Sequence, residues 1–134
     1  MTGTNINSSV RILVVDDEPA LLKMVTAYLK RLGFDVTAAS SSENGWTTLA
    51  AAPDQFAVAV LDATMSGVGV EDLATQMMTA SPRLCVIVAS GYPVDMSVLE
   101  ESAPGRVMFL HKPFAPEMLA GAVRRMIGTQ EESV

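Results

Sequence analysis

The sequence predicts an α/β fold of five βα units, with one parallel sheet covered by helices on both faces. Three observations carry this. Short, continuous apolar runs recur along the chain and stop abruptly at polar or charged residues; a strand buried on both faces has this pattern. The segments between them carry apolar residues at helical spacing, and strands alternating with helices call for a parallel sheet with right-handed crossovers. The chain has 134 residues, 49% of them apolar and 18% charged, which supplies one core and hardly two.

The first strand is Ile12-Leu13-Val14-Val15, stopped by Asp16-Asp17. A helix follows from Pro19, with Leu21, Leu22, Val25, Tyr28, Leu29 and Leu32 on one face and Gly33 as its stop. Phe34-Asp35-Val36-Thr37-Ala38 alternates and reads as a strand at a sheet edge. Ser40 and Glu43 have capping-box spacing ahead of a helix through Trp46, Leu49 and Ala50. The third strand, Val58-Ala59-Val60-Leu61, ends at Asp62. Glu71 and Asp72 suit the first turn of a helix through Leu73, Met77 and Met78, which Pro82 terminates. Leu84 to Ala89 is the fourth strand, ending at Ser90-Gly91, and Pro93 to Glu101 reads as a short helix. Val107-Met108-Phe109-Leu110 ends at His111-Lys112. Pro116 opens a last helix through Leu119, Val123 and Met126, with Gly128 as its stop.

The balance of 9 basic against 15 acidic residues gives a net charge of −6, which disfavours generic binding of nucleic acid or anionic membrane. The single cysteine, Cys85, excludes an internal disulfide and fits a reducing compartment. It lies inside an apolar run and reads as buried and inert. Apolar runs of about six residues fall far short of the roughly 20 that span a bilayer, and Met1 to Ser9 has no apolar signal core. A cytoplasmic protein is predicted, with a flexible segment at 1–9, one domain at 10–127 and a tail at 128–134.

In an open parallel sheet, ligands bind at the carboxyl ends of the strands. Asp16, Asp17, Asp62, Ser90 and Lys112 all end apolar runs, so they are predicted to converge there. Three clustered carboxylates repel unless a cation joins them. Hard oxygen ligands with open positions suit Mg²⁺, and a lysine and a hydroxyl opposite it suit a phosphoryl group. The set reads as a carboxylate nucleophile for metal-assisted phosphoryl transfer.

With Ile12 to Pro19, Val60-Leu61-Asp62-Ala63-Thr64-Met65, Ala89-Ser90-Gly91 and Lys112-Pro113-Phe114 in this order, the chain resembles the receiver (CheY-like) domain of two-component response regulators over about residues 10–127. The resemblance implies a flavodoxin-like fold of strand order 2-1-3-4-5. It implies that Asp62 accepts a phosphoryl group from a phosphohistidine, that Asp17 binds Mg²⁺ directly, and that Asp16 acts mainly through metal-bound water. The backbone carbonyl of Thr64 would be a further Mg²⁺ ligand. Lys112 would contact the phosphate, with Gly91 leaving room for it, and Ser90 and Phe109 would switch together. The partner would be a histidine kinase or histidine phosphotransfer protein, met by a first-helix surface of Ala20, Leu21 and Met24. Output would pass through the surface of helix four, strand five and helix five, including Met118. The protein would be a monomer or weak homodimer, with no enzymatic turnover beyond its own phosphorylation and dephosphorylation. Ser66-Gly67-Val68-Gly69 departs from many family members in lacking a proline, which implies a more mobile loop.

Two other readings compete. A haloacid-dehalogenase-like phosphatase also uses a strand-end aspartate, but Asp62-Ala63-Thr64 lacks its second aspartate. A non-phosphorylated interaction module would lack one of the site residues, and none is missing. The segments around Ser90 and Phe109 to Phe114 most resemble receivers attached to hybrid sensor kinases. The residues after Gly128 are too few for a DNA-binding domain, so a stand-alone regulator or a piece of a hybrid kinase is expected, with no direct nucleic-acid contact and no membrane insertion.

Overall fold

The computed structural model describes residues 10–65 and 69–132. Five strands, β1 (Arg11–Val15), β2 (Asp35–Ala39), β3 (Phe56–Asp62), β4 (Cys85–Ser90) and β5 (Val107–His111), form one sheet of order β2-β1-β3-β4-β5. All four pairings are parallel. Five helices alternate with them: α1 (Pro19–Arg31), α2 (Ser42–Ala51), α3 (Val70–Ala80), α4 (Ser97–Ser102) and α5 (Pro116–Glu132). This is the flavodoxin-like architecture that the sequence predicts.

The strand pleat divides the core. Leu13, Val15, Ala59, Leu61, Val86 and Val88 face α2, α3 and α4, meeting Leu49, Leu73, Met77 and Leu99. Their neighbours Ile12, Val14, Val58, Val60, Cys85 and Ile87 face α1 and α5, meeting Val25, Leu29, Leu119 and Val123. Between their polar ends the central strands are thus apolar and buried on both faces, whereas β2, on the edge, exposes Asp35 and Ala38. Cys85 is fully buried, as its apolar run predicts. Trp46 packs against the α2–α3–α4 side. Among the described residues, no helix is long and apolar enough to cross a membrane.

Pro19 opens α1, and Gly33, at φ 101°, ends it in the left-handed region that glycine tolerates. Three boundaries differ from the sequence reading. The cap of α2 is Ser41, not Ser40: Ser41 has extended backbone and its Oγ accepts the Asn44 N–H. Helix α4 begins at Ser97 rather than Pro93, because Asp95 Oδ1 accepts both the N–H and the hydroxyl of Ser97 and sets a turn just before it. Gly128 does not stop α5, which runs on through residues read as tail. A mid-helix glycine costs about 1 kcal/mol relative to alanine, too little to break a helix anchored by Leu119, Val123 and Met126. The segment 1–9 and loop residues 66–68, both read as mobile, lie outside the described residues.

Candidate functional site

The strand ends converge as predicted. Asp16 follows β1 and its N–H donates to the Ala39 carbonyl at 3.1 Å, which extends the β1–β2 ladder by one residue. Asp62 ends β3 opposite Ala89. Beyond the ends of β4 and β5, the Lys112 N–H donates to the Ser90 carbonyl at 2.8 Å, and this draws the lysine back over the sheet. The Lys112-Pro113 peptide is cis.

Asp16, Asp17 and Asp62 each place a carboxylate oxygen within 4.8 Å of the others; Asp16 and Asp62 are buried and Asp17 is exposed at the mouth. Lys112 Nζ stands 3.2 Å from Asp62 Oδ1 and 3.6 Å from Asp16 Oδ2. One ammonium against three carboxylates leaves two negative charges uncompensated. This hard-oxygen set fits Mg²⁺, which accepts carboxylates and completes its octahedron with water.

The two buried acids differ in their ionisation. Burial raises the Asp16 carboxyl above its ordinary value; the Glu18 N–H, at 2.9 Å from Oδ1, and Lys112 oppose this, and the neighbouring Asp62 charge adds to it. Burial also pushes Asp62 up, but hydrogen bonds from the Thr64 N–H and hydroxyl, together with Lys112, outweigh it and hold this carboxyl below the ordinary value. Asp62 is therefore the more acidic of the two buried acids.

Thr64 has a second role that the sequence reading missed. Its hydroxyl lies 2.9 Å from Asp62 Oδ1 and 3.1 Å from Oδ2, and its N–H donates to Oδ1 at 3.1 Å. The legible signal is a threonine two residues after an aspartate at a strand end, where side-chain-to-backbone turns form. Thr64 stands where a haloacid-dehalogenase-like phosphatase needs its second acid.

Ser90 is buried at the end of β4, and its Oγ accepts the Tyr92 N–H at 3.0 Å. Phe109 is half-buried on the α2–α3–α4 side, with the ring of exposed His111 edge-on at 6.3 Å. Because Val88 pairs with Phe109 and Ser90 with His111, all four residues share one face of the sheet. A Cβ at Gly91 would meet nothing within 4 Å. Beside Lys112, a cavity of ≈ 400 Å³ is lined by Glu18, Leu21, Gly91, Lys112, Pro113 and Phe114. Met24 on α1 and Met118 on α5 are exposed.

Residues 12–124 match the sequence model of the response regulator receiver domain. The chain is 31% identical over 116 residues, 87% of its length, to the DNA-binding transcriptional regulator NtrC of Rhizobium meliloti, and covers 24% of that protein. It is 26% identical over 96% of its length to the sensor kinase CckA of Brucella abortus, and covers 14% of it. The chain thus spans a quarter or less of these two relatives. Its fold is similar to a receiver domain protein of Clostridium thermocellum, with TM-score 0.81, 24% identity and coverage of 93% of this chain and 99% of that one. It is also similar to the receiver domain of the hybrid histidine kinase CckA, with TM-score 0.75, 25% identity and coverage of 87% and 97%. With the family match across nearly the whole domain and the strand-end carboxylates and lysine gathered at one site, the chain belongs to the response regulator receiver domain family, the phosphorelay signalling module of two-component systems.

Proposed function

We propose that Asp62 accepts a phosphoryl group from the phosphohistidine of a histidine kinase or histidine phosphotransfer protein. The observation that carries this reading is the buried Asp62 carboxylate facing Lys112 at 3.2 Å, beside two further carboxylates. Asp17, Asp62 and the Thr64 backbone carbonyl would hold Mg²⁺ directly, with Asp16 acting mainly through its bound water. When bound, the ion supplies positive charge against the phosphoryl oxygens and relieves the repulsion among the acids. An Asp62 oxygen forms the new bond to phosphorus, and the phosphorus–nitrogen bond to the partner's histidine breaks with its electron pair leaving on the imidazole. Lys112 would neutralise charge on the transferred group, Gly91 leaves space for it, and the Ser90 hydroxyl donates to it.

The partner would meet α1 at Ala20, Leu21 and Met24, beside the cavity under Lys112. Ser90 and Phe109 would carry the state of Asp62 to the surface of α4, β5 and α5. No external substrate is turned over. The resemblance to CckA supports a place in a hybrid kinase; a stand-alone regulator is the second reading.

Incubation with acetyl phosphate and MgCl2, followed by peptide mass mapping, tests the acceptor. One phosphoryl group at Asp62 is expected, absent in Asp62→Asn. Label at another residue of the wild type, or undiminished label in the variant, overturns the assignment.

A further inference from the structure

We infer that the Thr64 side-chain hydroxyl is a brake on the nucleophile: it holds the resting Asp62 carboxylate and slows phosphoryl acceptance. The inference rests on the reading of Asp62 as the acceptor.

A hydroxyl has one proton, yet Thr64 Oγ1 lies 2.9 Å from Asp62 Oδ1 and 3.1 Å from Oδ2. It therefore sits astride the carboxylate, and whichever oxygen attacks, the same hydroxyl is within donating reach of it. A hydrogen bond to an ionised acceptor is roughly twice as strong as one to a neutral acceptor. As an Asp62 oxygen forms its bond to phosphorus, the carboxylate charge passes to the phosphoryl group. The attacking oxygen becomes a bridging oxygen and the other becomes a carbonyl, both weaker acceptors. The Thr64 bond is thus stronger in the resting state than in the transition state. An interaction of that kind raises the barrier.

The other donors differ in this respect. The Thr64 N–H is fixed by the backbone and stays on Oδ1 whatever the side chain. Lys112 carries a full charge that is equally useful to the incoming phosphoryl oxygens. The hydroxyl alone is removable without disturbing either. Thr64 is exposed, so the isosteric change Thr64→Val leaves the core untouched, and Thr64→Ser restores the hydroxyl on a smaller side chain.

The experiment compares wild type, Thr64→Val and Thr64→Ser with acetyl phosphate at fixed MgCl2 concentration and pH. In each, an Asp62 oxygen forms the bond to phosphorus and acetate leaves with the electrons of the broken bond. The initial rate of Asp62 labelling is read by mass spectrometry. Thr64→Val is expected to label about three- to tenfold faster than wild type, the range set by losing a charge-assisted bond in the resting state. Thr64→Ser should label within about twofold of wild type, a rescue that a purely structural threonine would not give. Label at Asp62 in all three proteins with Thr64→Val equal to or slower than wild type overturns the brake and leaves the acceptor standing. Thr64→Ser as fast as Thr64→Val also overturns it, since the hydroxyl would then not be the cause. No label at Asp62 in any of the three overturns the acceptor reading, and the brake with it.

Discussion

Lys112 Nζ lies 3.2 Å from Asp62 Oδ1, the lysine side chain 19% exposed and the aspartate 3%. This pair joins the last strand to the central one across β4. Breaking a buried pair by removing one partner costs about 3–5 kcal/mol; partial exposure of Lys112 cuts this to roughly 1–2 kcal/mol. Lys112→Met should lose that much in urea unfolding without divalent ions at low salt. The loss should be specific to neutral pH. Asp62 lies below its ordinary value, so its contribution is present above the unfolded value and vanishes as pH falls through the folded one. Lys112→Met as stable as wild type at neutral pH would show that the pair contributes nothing.

Asp16 has the opposite sign. Its carboxyl is raised, chiefly by burial, so the folded state binds the proton more tightly than the unfolded chain. Ionised Asp16 therefore destabilises the metal-free fold as pH rises through the unfolded value toward the folded one. Asp16→Asn keeps an oxygen for the Glu18 N–H and removes the charge. It should raise Tm at pH 7 by about 3 °C, equivalent to about 1 kcal/mol. The gain should disappear in acid, below the ordinary carboxyl range. A lower Tm for the variant at pH 7 would refute the account.

Charge repulsion among the three acids also predicts how Mg²⁺ acts on stability. Saturating MgCl2 should raise wild-type Tm, since an ion that binds only the folded state stabilises it by mass action. Asp17 is exposed, so Asp17→Ala spares the core, and it should abolish most of the shift. Calorimetry should show the same loss of binding. Equal Mg²⁺ responses in both proteins would remove Asp17 from the ligand set.

Gly45 on α2 is needed for close packing. A Cβ there would lie 2.8 Å from Cγ2 of Val15, the last residue of β1 before Asp16 and Asp17. Gly45→Ala should destabilise by about 1–3 kcal/mol. An unchanged urea midpoint would show that α2 simply shifts away.

Much of the site is legible because strand-end residues need no knowledge of loops. An apolar run that stops at a charge fixes where that charge sits, and parallel topology brings Asp16, Asp17, Asp62, Ser90 and Lys112 to the same edge. Thr64 escapes that logic: its backbone position follows from Asp62, but the return of its hydroxyl to the carboxylate depends on the turn after β3. Helix ends are obscure for a related reason. Ser40 and Ser41 are equally good caps by composition, and only the chain path makes Ser41 extended. Gly128 reads as a stop, yet its weak penalty yields to the packing of the preceding turns of α5.

The shared face of Ser90 and Phe109 yields the last prediction. Ser90 Oγ is held at rest by the Tyr92 N–H at 3.0 Å. We propose that the hydroxyl turns inward to donate to a group on Asp62, giving up its bond from the Tyr92 N–H. Tyr92 is exposed, so water can take over its N–H and the rearrangement is inexpensive. The space behind Ser90 lies on the face that Phe109 occupies, two pairs down the β4–β5 ladder at Val88 and Phe109. Phe109 is half-buried, and its ring would turn into that space. A phosphoryl group on Asp62 would bias this equilibrium by meeting the Ser90 hydroxyl in one state alone. Beryllofluoride with Mg²⁺ should therefore shift NMR signals of Phe109, His111 and the neighbouring α4 residues in wild type. In Ser90→Ala the group should still bind at Asp62, with shifts near Lys112 retained, while the shifts at Phe109 and α4 shrink severalfold. Shifts at Phe109 as large in Ser90→Ala as in wild type would show that the coupling bypasses this hydroxyl.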